Sequence, residues 1–232
     1  MRSEKPRSFL VIHADREKEP MPVYIYGQFI EHLGRCIYGG IWAEMLQDRK
    51  FFYPVGAPSS PWRILGGKTT LTMVTRGAYV GKHSPEVKLS GSPGGIAQGG
   101  LGLLGGRQYA GRIVVAAAKD LKGLELRLCW GKGGTERDVV RIGGLSGSFT
   151  TKTFLFKAQR DTNEGELQIV GIPRRGSSAW FRIGAVSLMP ADNIKGMRRD
   201  TIALLRELGA PVYRWPGGNF VSGYNWKDGI GD

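Results

Sequence analysis

"AWFRIGAVSLM", residues 179–189, sets apolar Phe181 and Ile183 between Trp180, Arg182 and Gly184, the period of a strand with one buried face. Five more stretches upstream read the same way: "RQYAGRIVVAAA" (107–118), "GLELRLCW" (123–130), "RDVVRI" (137–142), "TTKTFLFKA" (150–158) and "ELQIVGI" (166–172). Short strands separated by glycine turns, with no helical period between them, predict a β-sandwich of jelly-roll type over residues 62–188. The even spacing of the turns favours a sandwich over an incomplete barrel. "GSPGGIAQGGLGLLGG" (91–106) reads as a flexible loop within it. It lacks the lysine of a phosphate cradle and does not lie between a strand and a helix.

The charge follows the same boundaries. The 232 residues carry a formal net charge of +13, and residues 62–188 hold 19 Lys and Arg against 8 Asp and Glu. The two flanks are nearly neutral. The bases are dispersed, so a solvated basic surface is favoured over a polyanion site, and no nucleic-acid partner is expected. No apolar run approaches the roughly 18 residues that span a bilayer, and the apolar stretch 9–12 is too short for a secretory leader. Cys36 and Cys129 show neither metal spacing nor a disulfide framework. These features predict a cytoplasmic protein with no membrane partner, no metal and no cofactor.

The flanks have a different grammar. "SFLVIHAD" (8–15) and "PVYIYGQFI" (22–30) read as strands, and "PVGAPSSP" (54–61) as a linker. Asp192 is a candidate N-cap for a helix over 192–208, stopped by Gly209 and Pro211, and "VYRW" (212–215) follows as a short strand. Strand, helix and strand in this order predict an α/β plus β fold. It is a partial (β/α)8 barrel, first strands and helix only, interrupted by the jelly-roll insertion. The expected domains are 1–61 (N-terminal strand of an accessory sandwich and first barrel strand), 62–188 (inserted sandwich) and 189–232 (barrel helix, second strand and substrate loop).

Barrel enzymes carry their working groups at the C-terminal ends of the parallel strands. Glu31 and His32 stand just past the first strand; Arg214 and Asn219 flank the turn "RWPGGNF" (214–220) after the second. A guanidinium fork, an amide and a carboxylate on one rim suit the vicinal hydroxyls of a sugar. They equally suit a structural Arg214–Glu31 ion pair with Asn219 capping a turn. Tyr79, Tyr109, Trp130 and Trp180 offer either a stacking platform for sugar rings or core packing.

"YGQFIEHLGRCIYGGIW" (26–42) and "LGAPVYRWPGGNFVSGYNWKDGIG" (208–231) resemble the two N-terminal signatures of α-L-arabinofuranosidases of glycoside hydrolase family 51. "WFRIGAVSLMP" (180–190) is similar to the closing strand of a carbohydrate-binding-module-like sandwich inserted in some members. The resemblance implies a retaining hydrolase with a (β/α)8 barrel, acting on arabinan- or arabinoxylan-type polysaccharides. It also implies that Glu31, Arg214 and Asn219 bind the arabinofuranosyl ring beside the scissile bond. Its two catalytic glutamates belong to later barrel strands, and neither Glu31 nor Asp228 matches them. The chain is therefore expected to be the N-terminal part of a longer parent, inactive alone, with a homo-oligomeric parent left open. The alternative is a noncatalytic carbohydrate-binding module.

Overall fold

The computed structural model describes residues 9–16, 18–131 and 134–229. Its strands are β1 (Gln28–Phe29), β2 (Arg63–Leu65), β3 (Thr69–Val74), β4 (Ser84–Ser90), β5 (Gly94–Leu103) and β6 (Gln108–Ala117). They continue with β7 (Leu121–Cys129), β8 (Arg137–Ile142), β9 (Thr150–Lys157), β10 (Thr162–Pro173) and β11 (Ser178–Pro190). A helix α1 (Arg199–Leu208) and a last strand β12 (Tyr213–Arg214) complete the set. The chain divides into two compact units, residues 33–207 and residues 1–32 with 208–232.

The larger unit is a sandwich of two five-stranded antiparallel sheets, ordered β2-β5-β10-β7-β8 and β3-β4-β11-β6-β9. Strand alternation places Leu124, Leu126 and Leu128 of β7 opposite Phe181, Ile183 and Val186 of β11 in one continuous core. Between those residues, Glu125, Arg127 and Arg182 turn to the outer faces. There ion pairs absorb part of the basic excess: Arg127 holds Glu125 along β7, Arg141 reaches the same carboxylate from β8, and Arg182 holds Glu86 across strands at 2.5 Å.

The glycine-rich segment 91–106 is not a loop. It forms β5, an inner strand paired with β10 and β2. Gly95 faces the Ile169 carbonyl so closely that any Cβ would overlap it, while Ile96, Leu101 and Leu103 are buried. Glycine here serves close backbone approach. The expected linker 54–61 is likewise structured. Gly56 donates to the Trp62 carbonyl at 3.0 Å, and Val55, Phe51 and Trp62 join the core.

Residues 43–51 lie against both sheets. Gln98 on β5 exchanges two hydrogen bonds with the Gln47 backbone, at 2.7 and 2.8 Å. Glu44 takes the Leu188 amide of β11 at 3.0 Å and the Ser187 hydroxyl at 2.6 Å. The unit's entry and exit meet: Trp42 bridges Met197, Ala43 donates to Gly196 and Arg198 to Ile41, both at 2.8 Å.

The partial (β/α)8 barrel is not formed. Strands and a single α-helix dominate the described chain, and the sheets are antiparallel apart from one two-stranded parallel pair, β1 with β12. Residues 22–30 do not make a full strand, because β1 has one neighbour and only two paired residues. Val23–Tyr26 instead close a 3-10 turn, with Ile25 donating to Pro22 and Gly27 to Tyr24. Residues 9–13 join no ladder and are exposed. The helix also begins later than the cap at Asp192 predicts. Lys195 and Gly196 have positive φ, which breaks the helical turn, and Asp192 pairs with Arg107 at 2.9 Å. Asn193 caps the intervening turn by accepting from Gly196. The stop holds, with Gly209 left-handed just past Leu208. No described helix is long and apolar enough to cross a membrane.

Two tests follow from this packing. Gly95→Ala is expected to cost roughly 1–3 kcal/mol by overpacking. Gly102→Ala, where a Cβ meets only Asn163 at 4.0 Å, should stay within about 0.5 kcal/mol in denaturant titrations. The second test concerns acid. Hydrogen bonds from Arg127 and Arg107 hold Glu125 and Asp192 below the usual carboxyl range, and Arg198 lowers Asp200 to about 2. Depressed carboxyls stabilise fully above their unfolded pKa, near 4, and that contribution is lost as pH falls through the folded value. The Tm should therefore be flat above about pH 5 and fall between about pH 4.5 and 2. Arg198→Gln should make the fall shallower, by under about 1 kcal/mol because the pair is exposed.

Candidate functional site

In the smaller unit the parallel pair carries the residues singled out in the sequence. Gln28 donates to Val212 at 2.9 Å and Ile30 to Arg214 at 2.8 Å, which sets Phe29 opposite Arg214. The chain beyond β1 then runs beside the turn beyond β12. Gly217, at φ +110, packs so tightly on Glu31 that a Cβ would collide with that side chain. The next amide, Gly218, donates to Glu31 Oε1 at 3.1 Å. Glycine is required at 217 for two reasons: its φ is positive, and a Cβ there would collide with Glu31.

Arg214 does not pair with Glu31. Its guanidinium lies over the Phe29 ring, 4.7 Å from the centroid, and the residue is exposed. Asn219, also exposed, opens the 3-10 turn Asn219–Ser222 immediately after the Glu31-bound amide. His32 is stacked on Phe220 at 4.1 Å and meets Trp215 edge-on at 5.7 Å, so it packs the rim. The fold thus joins Glu31 to the backbone that carries Asn219, and sets Arg214 one strand position before that turn. The side chain of Asp228 lies outside the described residues.

Of the four aromatic residues weighed as a platform, Trp130 packs half-buried against the core. Tyr109 is buried in the core, where its hydroxyl accepts from the Leu104 amide at 2.7 Å. Tyr79 covers Gly184 and leans on Phe149 at 5.3 Å, while Trp180 lies under Arg182. Trp42 was not singled out by sequence. It carries the Arg49 guanidinium 5.1 Å from its ring centre and meets Tyr38 edge-on at 5.2 Å. In the sequence it was only the last residue of the motif 26–42, with no role assigned to it.

No family model matches the chain. Along most of its length it is similar to two Arabidopsis thaliana proteins, alpha-L-arabinofuranosidases 2 and 1. Identity is 25% to each, over 92% and 98% of this chain and 35% and 37% of those proteins. The chain thus spans about a third of the length of these relatives. Over 42 residues, 18% of the chain and 8% of the relative, it is 57% identical to an intracellular exo-alpha-(1->5)-L-arabinofuranosidase of Halalkalibacterium halodurans. Among solved structures it is similar to the CBM22-1 xylan-binding domain of Paenibacillus barcinonensis Xyn10C. The TM-score is 0.49 and identity 10%, over 66% of this chain and 98% of that one. Similarity to TmCBM61 in complex with beta-1,4-galactotriose has a TM-score of 0.45 and identity 16%, over 63% and 98%.

The Glu31–Gly218 bond is open to measurement. Glu31→Ala should speed hydrogen exchange at the Gly218 amide severalfold, whereas Glu31→Gln, which keeps an acceptor oxygen, should leave it nearly unchanged. The chain is distantly related to plant and bacterial α-L-arabinofuranosidases.

Proposed function

We propose that the chain is the carbohydrate-binding, noncatalytic part of an α-L-arabinofuranosidase-type glycoside hydrolase, and that its sandwich unit binds arabinofuranosyl-bearing polysaccharide. The observation that carries this reading is the extent of the similarity. It runs over 92–98% of the chain and so includes the sandwich as well as the short flanking motifs. The sandwich has its own continuous core and its own joined ends, as a binding module requires. The test is affinity electrophoresis and calorimetry of the chain with arabinan and arabinoxylan, together with an assay for released arabinose. Retardation and heat without arabinose release are expected. Release of arabinose by the chain, or the absence of any binding, would overturn the reading.

A second reading concerns the smaller unit, and the Glu31–Gly218 bond favours it. Here Glu31, Arg214 and Asn219 serve the catalytic centre of a retaining family 51 enzyme as arabinofuranosyl-binding residues. Glu31 fixes the Pro-Gly-Gly turn, Asn219 projects from it, and Arg214 offers a fork for neighbouring hydroxyls. Contacts that tighten as the ring distorts lower the barrier rather than only the KM. In an active enzyme that contains this chain, Arg214→Ala and Glu31→Gln should each lower kcat by roughly tenfold or more, about 1.4 kcal/mol. A change confined to KM would remove these residues from the chemical step.

A further inference from the structure

Two adjoining cavities, of about 300 and 860 Å³, open on the sandwich unit and share Gly39, Trp42, Glu44, Met45 and Gly102. They form one groove between the 35–50 segment and the end of β5, of a size that holds small ligands. The floor is bare. Beside Gly102 a Cβ would meet only Asn163, and beside Gly100 nothing within 4 Å.

The charges in the walls are not balanced. The carboxylates are already engaged: Glu44 by the Leu46 and Leu188 amides and the Ser187 hydroxyl, Asp48 by the Phe52 and Tyr53 amides, and Asp200 by Arg198. Arg35, Arg49, Lys50 and Arg199 also line the groove, and among the described residues none of them forms an ion pair. Arg49 is further constrained. Its guanidinium rests on the Trp42 indole, and its own carbonyl accepts from the Val186 amide at 3.0 Å. A stacked guanidinium loses little freedom when it forks onto a carboxylate, and that bond is about twice as strong as one to a neutral oxygen. Glu44 and Asp48 keep their charge, so the lining holds six cations (Arg35, Arg49, Lys50, Arg107, Arg198 and Arg199) over three carboxylates, a surplus that a carboxylate-bearing ligand complements and a neutral sugar does not.

We infer that the groove binds an acidic saccharide, an oligosaccharide bearing uronic-acid units, with Arg49 receiving the carboxylate. This rests on the reading that the sandwich unit binds carbohydrate, and it adds a charge requirement to it. The ring beside the carboxylate lies along Trp42 and Tyr38, and the glycine floor leaves room for the next unit.

The test is calorimetric titration of the chain, in about 0.15 M salt, with trigalacturonate and with its carboxyl-reduced counterpart. Reduction should weaken binding roughly ten- to hundredfold, the worth of a hydrogen bond to a charged group. Arg49→Gln should cause a similar loss. Gly102→Phe, which fills the floor without changing the charge, should abolish binding and so separates the groove from general attraction to a basic surface. If Gly102→Phe does not fold, Arg49→Gln and carboxyl reduction decide the matter between them. Equal affinity for acid and reduced forms, or wild-type binding by Arg49→Gln or by folded Gly102→Phe, would overturn the inference. Arabinan binding with no preference for the acid sinks this inference alone. Trigalacturonate binding in the groove without arabinan binding sinks only the arabinofuranosyl reading, and loss of both removes the two together.

Discussion

The sandwich depends on the polar bonds that clamp residues 43–51 to its two sheets. Buried polar groups are tolerated only when paired, and an unpaired one costs on the order of 1–3 kcal/mol. Gln98 is 3% exposed on β5, and both halves of its amide are used by the Gln47 backbone. On the other sheet, β4 pairs with β11 only as far as Arg182. Glu44 takes up the Leu188 amide on β11, while the Met45 amide donates to the Leu188 carbonyl. Among the described residues no buried side-chain nitrogen or oxygen lacks a partner. The clamp also carries Leu46 and Phe51 into the core, so apolar packing and polar satisfaction enforce one placement.

The same clamp makes the Trp42 groove. Residues 35–50 and the end of β5 are some fifty positions apart, and the Gln47–Gln98 exchange is what joins them. Trp42 and Arg49 lie on one wall because the segment is pinned at Glu44 and Gln47 between them. Elsewhere the excess basic charge is spread over outer faces and partly neutralised by Glu86, Glu125 and Glu166. The groove differs because its lining holds six cations over three carboxylates.

Strands β6 to β11 were legible because their faces alternate and glycine turns punctuate them; β8 runs over the residues the pattern picked out, 137–142. β5 was not legible. Its glycines signal flexibility locally, yet at Gly95 the Ile169 backbone leaves no room for a Cβ. The barrel was misread for the opposite reason. "PVYIYGQFI" has strand composition, but composition cannot supply the neighbours that a buried parallel strand needs on both sides. At the candidate site, the motifs put Glu31 and the 214–220 turn just beyond two short strands, but they gave no sign of the bond from the Gly218 amide to Glu31. The seating of Arg214 on Phe29 was not legible either, since it depends on strand register.

The meeting of Ile41, Trp42 and Ala43 with Gly196, Met197 and Arg198 has an evolutionary reading. A unit whose two ends are hydrogen-bonded neighbours asks of its host only a gap as wide as one pair of adjacent strands. It can be acquired, lost or moved between loops of unrelated proteins without stretching either chain. The sandwich is in that sense a portable part. Its stability travels with it, because the clamp, the core and the bridge that joins its ends all lie between Leu33 and Glu207.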